Sequence, residues 1–104
     1  MILLKISSEK QQTIENIASI LLNEHLAVDI NISNNERRFS ILNSKIESHP
    51  VFILTAKTKA LLFSKIEKRI KEMRPESLPE IYSLAITTME VQQAEKVINQ
   101  TQKV

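Results

Sequence analysis

The chain has 104 residues, of which 42% are hydrophobic and 25% charged, and its net charge is +2. This composition predicts one small globular domain, residues 1–104, and excludes a disordered chain. Cysteine and glycine are both absent, which excludes disulfides, thiolate metal sites and glycine-rich phosphate loops. No apolar stretch approaches the length of a membrane span or a signal peptide, so we expect a cytoplasmic protein that does not enter membranes.

The first half of the chain predicts a strand, a helix and a pair of strands. Branched residues over Ile2–Ile6 predict the first strand, and residues 14–22 carry apolar side chains at the spacing of a core-facing helix. Alternation over Val28–Ile32 predicts a half-buried strand that ends at Asn34-Asn35. Phe39–Leu42 predicts a returning strand.

The absence of glycine restricts which residues can adopt a left-handed backbone. Such positions fall to Asn, Asp or another tolerant residue. We therefore predict positive φ angles in the turns at Asn34-Asn35 and at Asn43. The neighbouring Arg37-Arg38 is predicted to be a solvated, charged strand edge.

The second half predicts a buried strand, a helix, another strand and a short terminal helix. Val51–Ala56 is almost wholly apolar, which is typical of a strand buried on both faces. An apolar stripe over residues 62–73 predicts a helix that Pro75 ends, and Ile81–Ile86 predicts the last strand. A terminal helix follows near residues 91–98, and the polar tail Asn99–Val104 is expected to fray.

This order of elements predicts an α+β, ferredoxin-like split βαβ sandwich. It is βαββαβ plus a C-terminal helix, with the helices on one face of an antiparallel sheet. The other face, carrying half of Val51–Ala56, would be apolar and exposed in a single chain. Exposed apolar patches of that size mark interfaces, so the pattern predicts an oligomer.

Few side chains suggest chemistry. Asp29 is the only aspartate and lies within a predicted strand, where it is either an outward polar residue or a ligand or inter-subunit contact. His25 and His49 lie in unrelated elements and are interpreted as a helix-end residue and a surface residue. No Ser, His and acid form a recognisable arrangement, so we do not expect an enzyme. With neither a basic patch nor interleaved aromatic residues, we do not expect nucleic-acid binding.

Several segments in order resemble the CutA divalent-cation tolerance family from Ile2 to about Ile98. The matching segments are Asn23–Ile32, Ser44-Lys45-Ile46, Lys57-Thr58, Glu67–Ile70 and the proline-bracketed Pro75–Ile81. The resemblance implies a homotrimer whose sheets pack together and a link to metal-ion tolerance. It also implies an inter-subunit cleft containing Glu80, with Lys45 and Lys57 as candidate cations, as either an ion-pair network or a binding site.

Departures from the family pattern fall on the metal-binding residue types. Asp29 stands where family members often have Cys, and Arg74 stands where they commonly have His. Because the soft ligands that suit copper are missing, we expect weak binding of copper and zinc. A divalent metal ion is implied by the family alone, with Asp29 and Glu80 as the weak candidate ligands.

The resemblance implies a trimeric, non-enzymatic protein associated with divalent metal-ion tolerance. Two alternatives stay open at the level of sequence. One is a PII-like signalling trimer that binds a small ligand, against which the absence of glycine counts. The other is a structural interaction module without a small ligand.

Overall fold

The structure is a computed structural model that describes residues 1–104. Its elements are β1 (Ile2–Ser8), α1 (Gln11–Asn23), β2 (Val28–Leu42), β3 (Lys45–Thr58), α2 (Phe63–Glu72), β4 (Glu80–Ala85) and α3 (Val91–Gln100), with one 3₁₀ turn (Ala60–Leu62) before α2. This confirms the predicted βαββαβ order with an added C-terminal helix. None of the helices is both long and apolar enough to cross a bilayer.

The four strands form one antiparallel sheet in the order β2-β3-β1-β4. The central strand β1 pairs on both sides: Leu4 lies opposite Ala56 in β3 and opposite Ser83 in β4. Residues directly opposite one another point to the same face of a sheet. Leu4 and Ala56 therefore share the face that α1 and α2 cover, and the neighbouring residue Leu3 shares the other face with Lys57.

The core lies between this sheet and the first two helices. Its members are Leu4, Ile6, Ile14, Ile17, Leu21, Leu26, Ala27, Leu54, Ala56, Leu62, Ile66 and Ile70. The helix residues among them recur at three- and four-residue spacing, which places them on one side of each helix. The one fully buried polar side chain is satisfied, since Thr58 Oγ1 donates a hydrogen bond to the Leu26 carbonyl at 2.6 Å.

The predicted break at Asn34-Asn35 is wrong, because β2 continues through it to Leu42. The register steps from Ser33 opposite Ile53 to Glu36 opposite Val51, so β2 gains one residue on β3 at this point. A β-bulge absorbs such an extra residue, adding twist without ending the strand. The two strands thus form one long hairpin. We call residues 36–50 the hairpin arm, because β1 pairs with β3 only from residue 52 onward.

Five residues, none of them glycine, adopt a left-handed backbone: His25, Asp29, Asn43, Ser44 and Arg74. Asn43 confirms the prediction for the hairpin turn, whereas the prediction for Asn34-Asn35 is wrong. His25 ends α1 in a Schellman motif, in which the Leu26 N–H donates to the Leu21 carbonyl at 2.8 Å and the His25 N–H to the Leu22 carbonyl at 3.2 Å. A histidine therefore occupies the position that glycine takes in most helices that end this way.

The tail was expected to fray, and that expectation is wrong. Thr101 is buried, and the Gln102 N–H donates to the His25 carbonyl at 2.8 Å. The Gln102 side chain donates to the Glu24 carbonyl at 2.7 Å, and Lys59 Nζ donates to the Gln102 carbonyl at 2.8 Å. Polar composition predicted solvation, but these polar groups hold the tail on the carbonyls that α1 leaves unpaired at its end.

The single chain is more extended than its length requires. Its accessible surface is 6908 Å², against about 5,900 Å² for a folded monomer of this mass. Its radius of gyration is 14.7 Å, against about 13 Å for a domain of this length. The excess in accessible surface is on the order of 1,000 Å².

Candidate functional site

The residues predicted to meet in a cleft lie apart within one chain. Lys45 is the first residue of β3, opposite Leu42 at the tip of the hairpin arm. Lys57 lies opposite Leu3 in β1, whereas Glu80 lies opposite Ser7. These two positions are separated by about 13 Å along β1. Their convergence between subunits is a relation between chains, and it stays a prediction.

Asp29 lies in a second bulge of β2, where the register steps from Val28 opposite Lys57 to Asn31 opposite Thr55. Its Oδ1 lies 2.6 Å from Lys96 Nζ and its Oδ2 lies 3.7 Å from Lys57 Nζ. The hydrogen bond from Lys96 and the charge of Lys57 lower the pKa of this carboxyl, against the opposing effect of desolvation. Both oxygens thus face ammonium groups, which favours a structural tie between α3 and the sheet over a cation ligand.

Glu80 lies beside a residue that the sequence did not single out for chemistry. Its Oε2 is 3.6 Å from Arg38 NH1, and Arg38 NH2 donates to Ser7 Oγ at 3.1 Å. Arg37 is exposed on the edge strand β2, as predicted, whereas Arg38 is half-buried in a contact between elements. The residue opposite Arg38 on β3 is His49, and His49 Nε2 lies 2.8 Å from Glu9 Oε1.

These contacts surround a cavity of about 250 Å³ where the hairpin arm leaves the body of the protein. We call it the junction pocket. Its walls come from the end of β1, the arm and the start of β4: Ser7, Ser8, Glu9, Arg38, His49, Ser77, Leu78, Pro79 and Glu80. Spacing along the chain gives no sign of this group, because a bulged, twisted hairpin is needed to bring residue 38 to residues 7 and 80. The proline-bracketed turn before β4 was the only signal for it.

A larger groove, of about 660 Å³, runs between the end of α1 and the tail. Leu22, Ala27 and Val28 supply its apolar wall, and residues 99–103 supply the other side. Its backbone acceptor at His25 is already bonded to the Gln102 N–H. The groove therefore offers mostly apolar contact area, whereas the junction pocket brings charged groups together. The junction pocket is the candidate functional site.

No three side chains of the His, Asp or Glu type converge in this chain in the way that a metal ion needs. The carboxylates of the junction pocket, Glu9 and Glu80, each face a basic side chain instead. Weak binding of copper and zinc stays a prediction, since ligands shared between subunits lie beyond a single chain.

The fold places the chain among the ferredoxin-like α+β proteins, here with a long β2–β3 hairpin. The family model for the CutA1 divalent ion tolerance protein matches residues 2–99, and the chain belongs to that family. A comparison with curated protein sequences finds no significant match.

Solved CutA1 structures have the same architecture over the whole chain. A single-site variant of CutA1 from Pyrococcus horikoshii is 25% identical, with a TM-score of 0.87, 99% of this chain covered and 100% of that one. The divalent cation tolerance protein from Thermus thermophilus is 23% identical, with a TM-score of 0.86 and coverages of 98% and 100%. A CutA from Archaeoglobus fulgidus, described as periplasmic, is 24% identical, with a TM-score of 0.82 and coverages of 96% and 98%.

Proposed function

We propose that this protein is a non-enzymatic, cytoplasmic homotrimer that contributes to tolerance of divalent metal ions. Membership of the CutA1 family supports the link to divalent ions. The observation that carries the assembly is the hairpin arm, whose apolar side chains stay largely exposed in the single chain. In this proposal the assembled trimer is the unit that contributes to metal-ion tolerance.

The tip of the arm is apolar and exposed. Phe39, Ile41 and Ile46 are 69%, 75% and 77% exposed, and Leu42 beside them is also exposed. Burying such side chains stabilises an assembly by about 25 cal/mol for each Å² removed from water. A stable interface buries about 800 Å² on each partner, and the chain carries a surface excess of that order. The arm is therefore well suited to hold a second copy.

A second apolar patch lies on the face of the sheet that α1 and α2 leave uncovered. Tyr82 and Leu84 in β4 are exposed there, beside the half-buried Leu3 and Ile53. A two-fold dimer or a closed ring could each place the arm of one copy on this face of another. The resemblance to the CutA family favours the ring of three, in which both patches are buried on every copy.

The assembly is tested by light scattering on the purified protein. We expect about three times the chain mass of 11.9 kDa. Ile46→Lys, at the arm tip, should give a smaller species, because a lysine cannot be buried there without a partner. Leu61→Lys is the matched control, since Leu61 on the body is equally exposed at 77%. A wild-type mass of one chain at every concentration, or an unchanged trimer for Ile46→Lys, would contradict the proposal.

The link to metal ions is tested in a bacterial host sensitised to copper and zinc. Expression of the wild-type chain should raise the metal concentration at which growth stops. Ile46→Lys should lose that effect if the trimer is the functional unit, whereas Leu61→Lys should retain it. Equal sensitivity with and without the wild-type chain would refute the metal-tolerance part and leave the assembly result standing.

A further inference from the structure

We propose that the junction pocket binds a small zwitterion, such as a free α-amino acid, with Arg38 holding the carboxylate and Glu80 the ammonium group. This goes beyond the proposed function, and metal tolerance is not needed for it.

The Arg38–Glu80 pair is open, in contrast to the other arginine pair of the chain. Arg69 Nε donates to both carboxylate oxygens of Glu24 at 3.0 Å, and Arg69 NH2 lies 2.8 Å from Oε2. Arg38 NH1 stops 3.6 Å from Glu80, beyond hydrogen-bonding distance. The Glu80 side chain accepts no hydrogen bond from the chain, and the Arg38 side chain donates only to Ser7. Both charged groups therefore keep unused hydrogen-bonding capacity next to a cavity.

The guanidinium is nonetheless held in position. Ser7, which accepts its hydrogen bond, is only 6% exposed and belongs to the central strand. On β3, the register partner His49 is tied to Glu9 at the end of β1. The arm is thus linked to the body on both of its strands. A fixed guanidinium loses less freedom on binding a ligand than a mobile one.

The charges of the pocket select the class of ligand. A guanidinium binds a carboxylate through two parallel hydrogen bonds. An anion without a positive group would be repelled by the Glu80 carboxylate, and a cation without a negative group would be repelled by the Arg38 guanidinium. A zwitterion satisfies both. The volume of about 250 Å³ is below that of pockets for drug-sized ligands, which limits the ligand to a small molecule.

The test is calorimetry on the assembled protein with each of the twenty standard L-amino acids at millimolar concentrations. We expect at least one to bind at one molecule per chain. Its deaminated acid and its decarboxylated amine should each bind at least tenfold more weakly, and inorganic phosphate should not compete. No binding by any of the twenty would overturn the proposal. Equal binding of the deaminated acid, or competition by phosphate, would make the pocket a simple anion site and would also overturn it.

Substitutions locate the site. Arg38→Gln and Glu80→Gln should each weaken binding of that amino acid at least tenfold. Arg37→Gln is the matched control, since Arg37 is the next residue on the arm and bonds only to Ser48. Glu80→Gln should melt close to the wild type, because the Glu80 carboxylate accepts no hydrogen bond in the chain and its exposed salt bridge with Arg38 contributes little to stability. Unchanged affinity in Glu80→Gln would overturn the assignment even if Arg38→Gln failed to fold.

Discussion

The two ends of the central strand β1 use polar side chains in opposite ways. At the end that begins with Ile2, the close of α1, the tail and α3 meet, and their polar groups are bonded to one another. At the end formed by Ser7 and Ser8, the hairpin arm departs and a charged cavity opens. We call these the closed end and the open end. The polar contacts at the closed end stabilise the fold, whereas the charged groups at the open end remain available for binding.

At the closed end, side chains and the tail satisfy the polar groups around the end of α1, which His25 terminates. Arg69 donates hydrogen bonds to both carboxylate oxygens of Glu24, which lowers the pKa of Glu24 and raises that of Arg69. Gln102 then covers the carbonyls of Glu24 and His25. Little capacity is left over for a ligand, so this end is structural.

At the open end, apolar and charged groups stay without full partners. The arm carries exposed Phe39, Ile41 and Ile46, and the pocket at its base carries the open pair of Arg38 and Glu80. Groups buried within the single chain would not be available for assembly or binding. The exposed apolar side chains and the open ion pair at this end are therefore the features that indicate a functional surface.

The largest effect should come from the core that lies between the two ends. Leu54 is fully buried, and Leu54→Ala should lower the free energy of unfolding by about 2–5 kcal/mol, because it leaves a cavity. Ile41→Ala on the arm should change the stability of the single chain by less than about 0.5 kcal/mol. Denaturant unfolding at several protein concentrations measures both. Any further loss in Ile41→Ala should grow on dilution, since it comes from contacts between copies.

The same pair of variants can break the comparison. If Ile41→Ala destabilised the protein as much as Leu54→Ala at every concentration, the arm would be packed against its own chain. The open end would then be no less structural than the closed one.

A smaller effect should come from the tail. Gln102→Ala removes the hydrogen bond to the Glu24 carbonyl and the contact with Lys65, which should cost about 1–2 kcal/mol of unfolding free energy. The control is Lys103→Ala, whose exposed side chain makes no hydrogen bond or ion pair, and it should be close to neutral. Amide hydrogen exchange at Leu26 should quicken in Gln102→Ala alone. Equal effects of the two substitutions would show that the tail is frayed, as its polar composition predicts.

The fold could be predicted from the sequence because its signals are local. Apolar spacing determined the faces of α1 and α2, and the order of elements restricted the sheet to one topology. What the sequence could not show was the continuity of β2 through Asn34-Asn35, because an Asn pair has the same composition in a turn and in a bulge. The order of the tail was missed for a similar reason, since it depends on acceptors at the end of α1, far away in sequence.

The candidate site was only partly predictable. Glu80 was identified from the proline-bracketed turn that precedes it. Its neighbour Arg38 was not, because their approach depends on the twist that the bulges add to a long hairpin, and that twist is not encoded in the residues at positions 38 and 80. Asp29 was singled out correctly as unusual, but its reason is a left-handed bulge position between two lysines.

An effect smaller than that of Gln102→Ala, and one that isolates charge, should come from Asp29→Asn. Asparagine tolerates the left-handed backbone of this position as well as aspartate does, so the substitution removes the charge and leaves the bulge. At neutral pH it should lower the free energy of unfolding by up to about 1 kcal/mol, because Lys57, Lys96 and Asp29 are all partly exposed to solvent.

The folded-state pKa of Asp29 lies below its ordinary value of 3.8. The contribution of the carboxylate is therefore fully present above that value and is lost as the pH falls through the folded-state pKa. The difference between wild type and Asp29→Asn should accordingly shrink in acid and in high salt, whereas Glu95→Gln, a neighbour of Lys96 without an ion pair, should show no such trend. A difference that stayed constant from neutral pH into acid would show that Asp29 acts through its backbone position alone, and the tie between α3 and the sheet would lose its electrostatic basis.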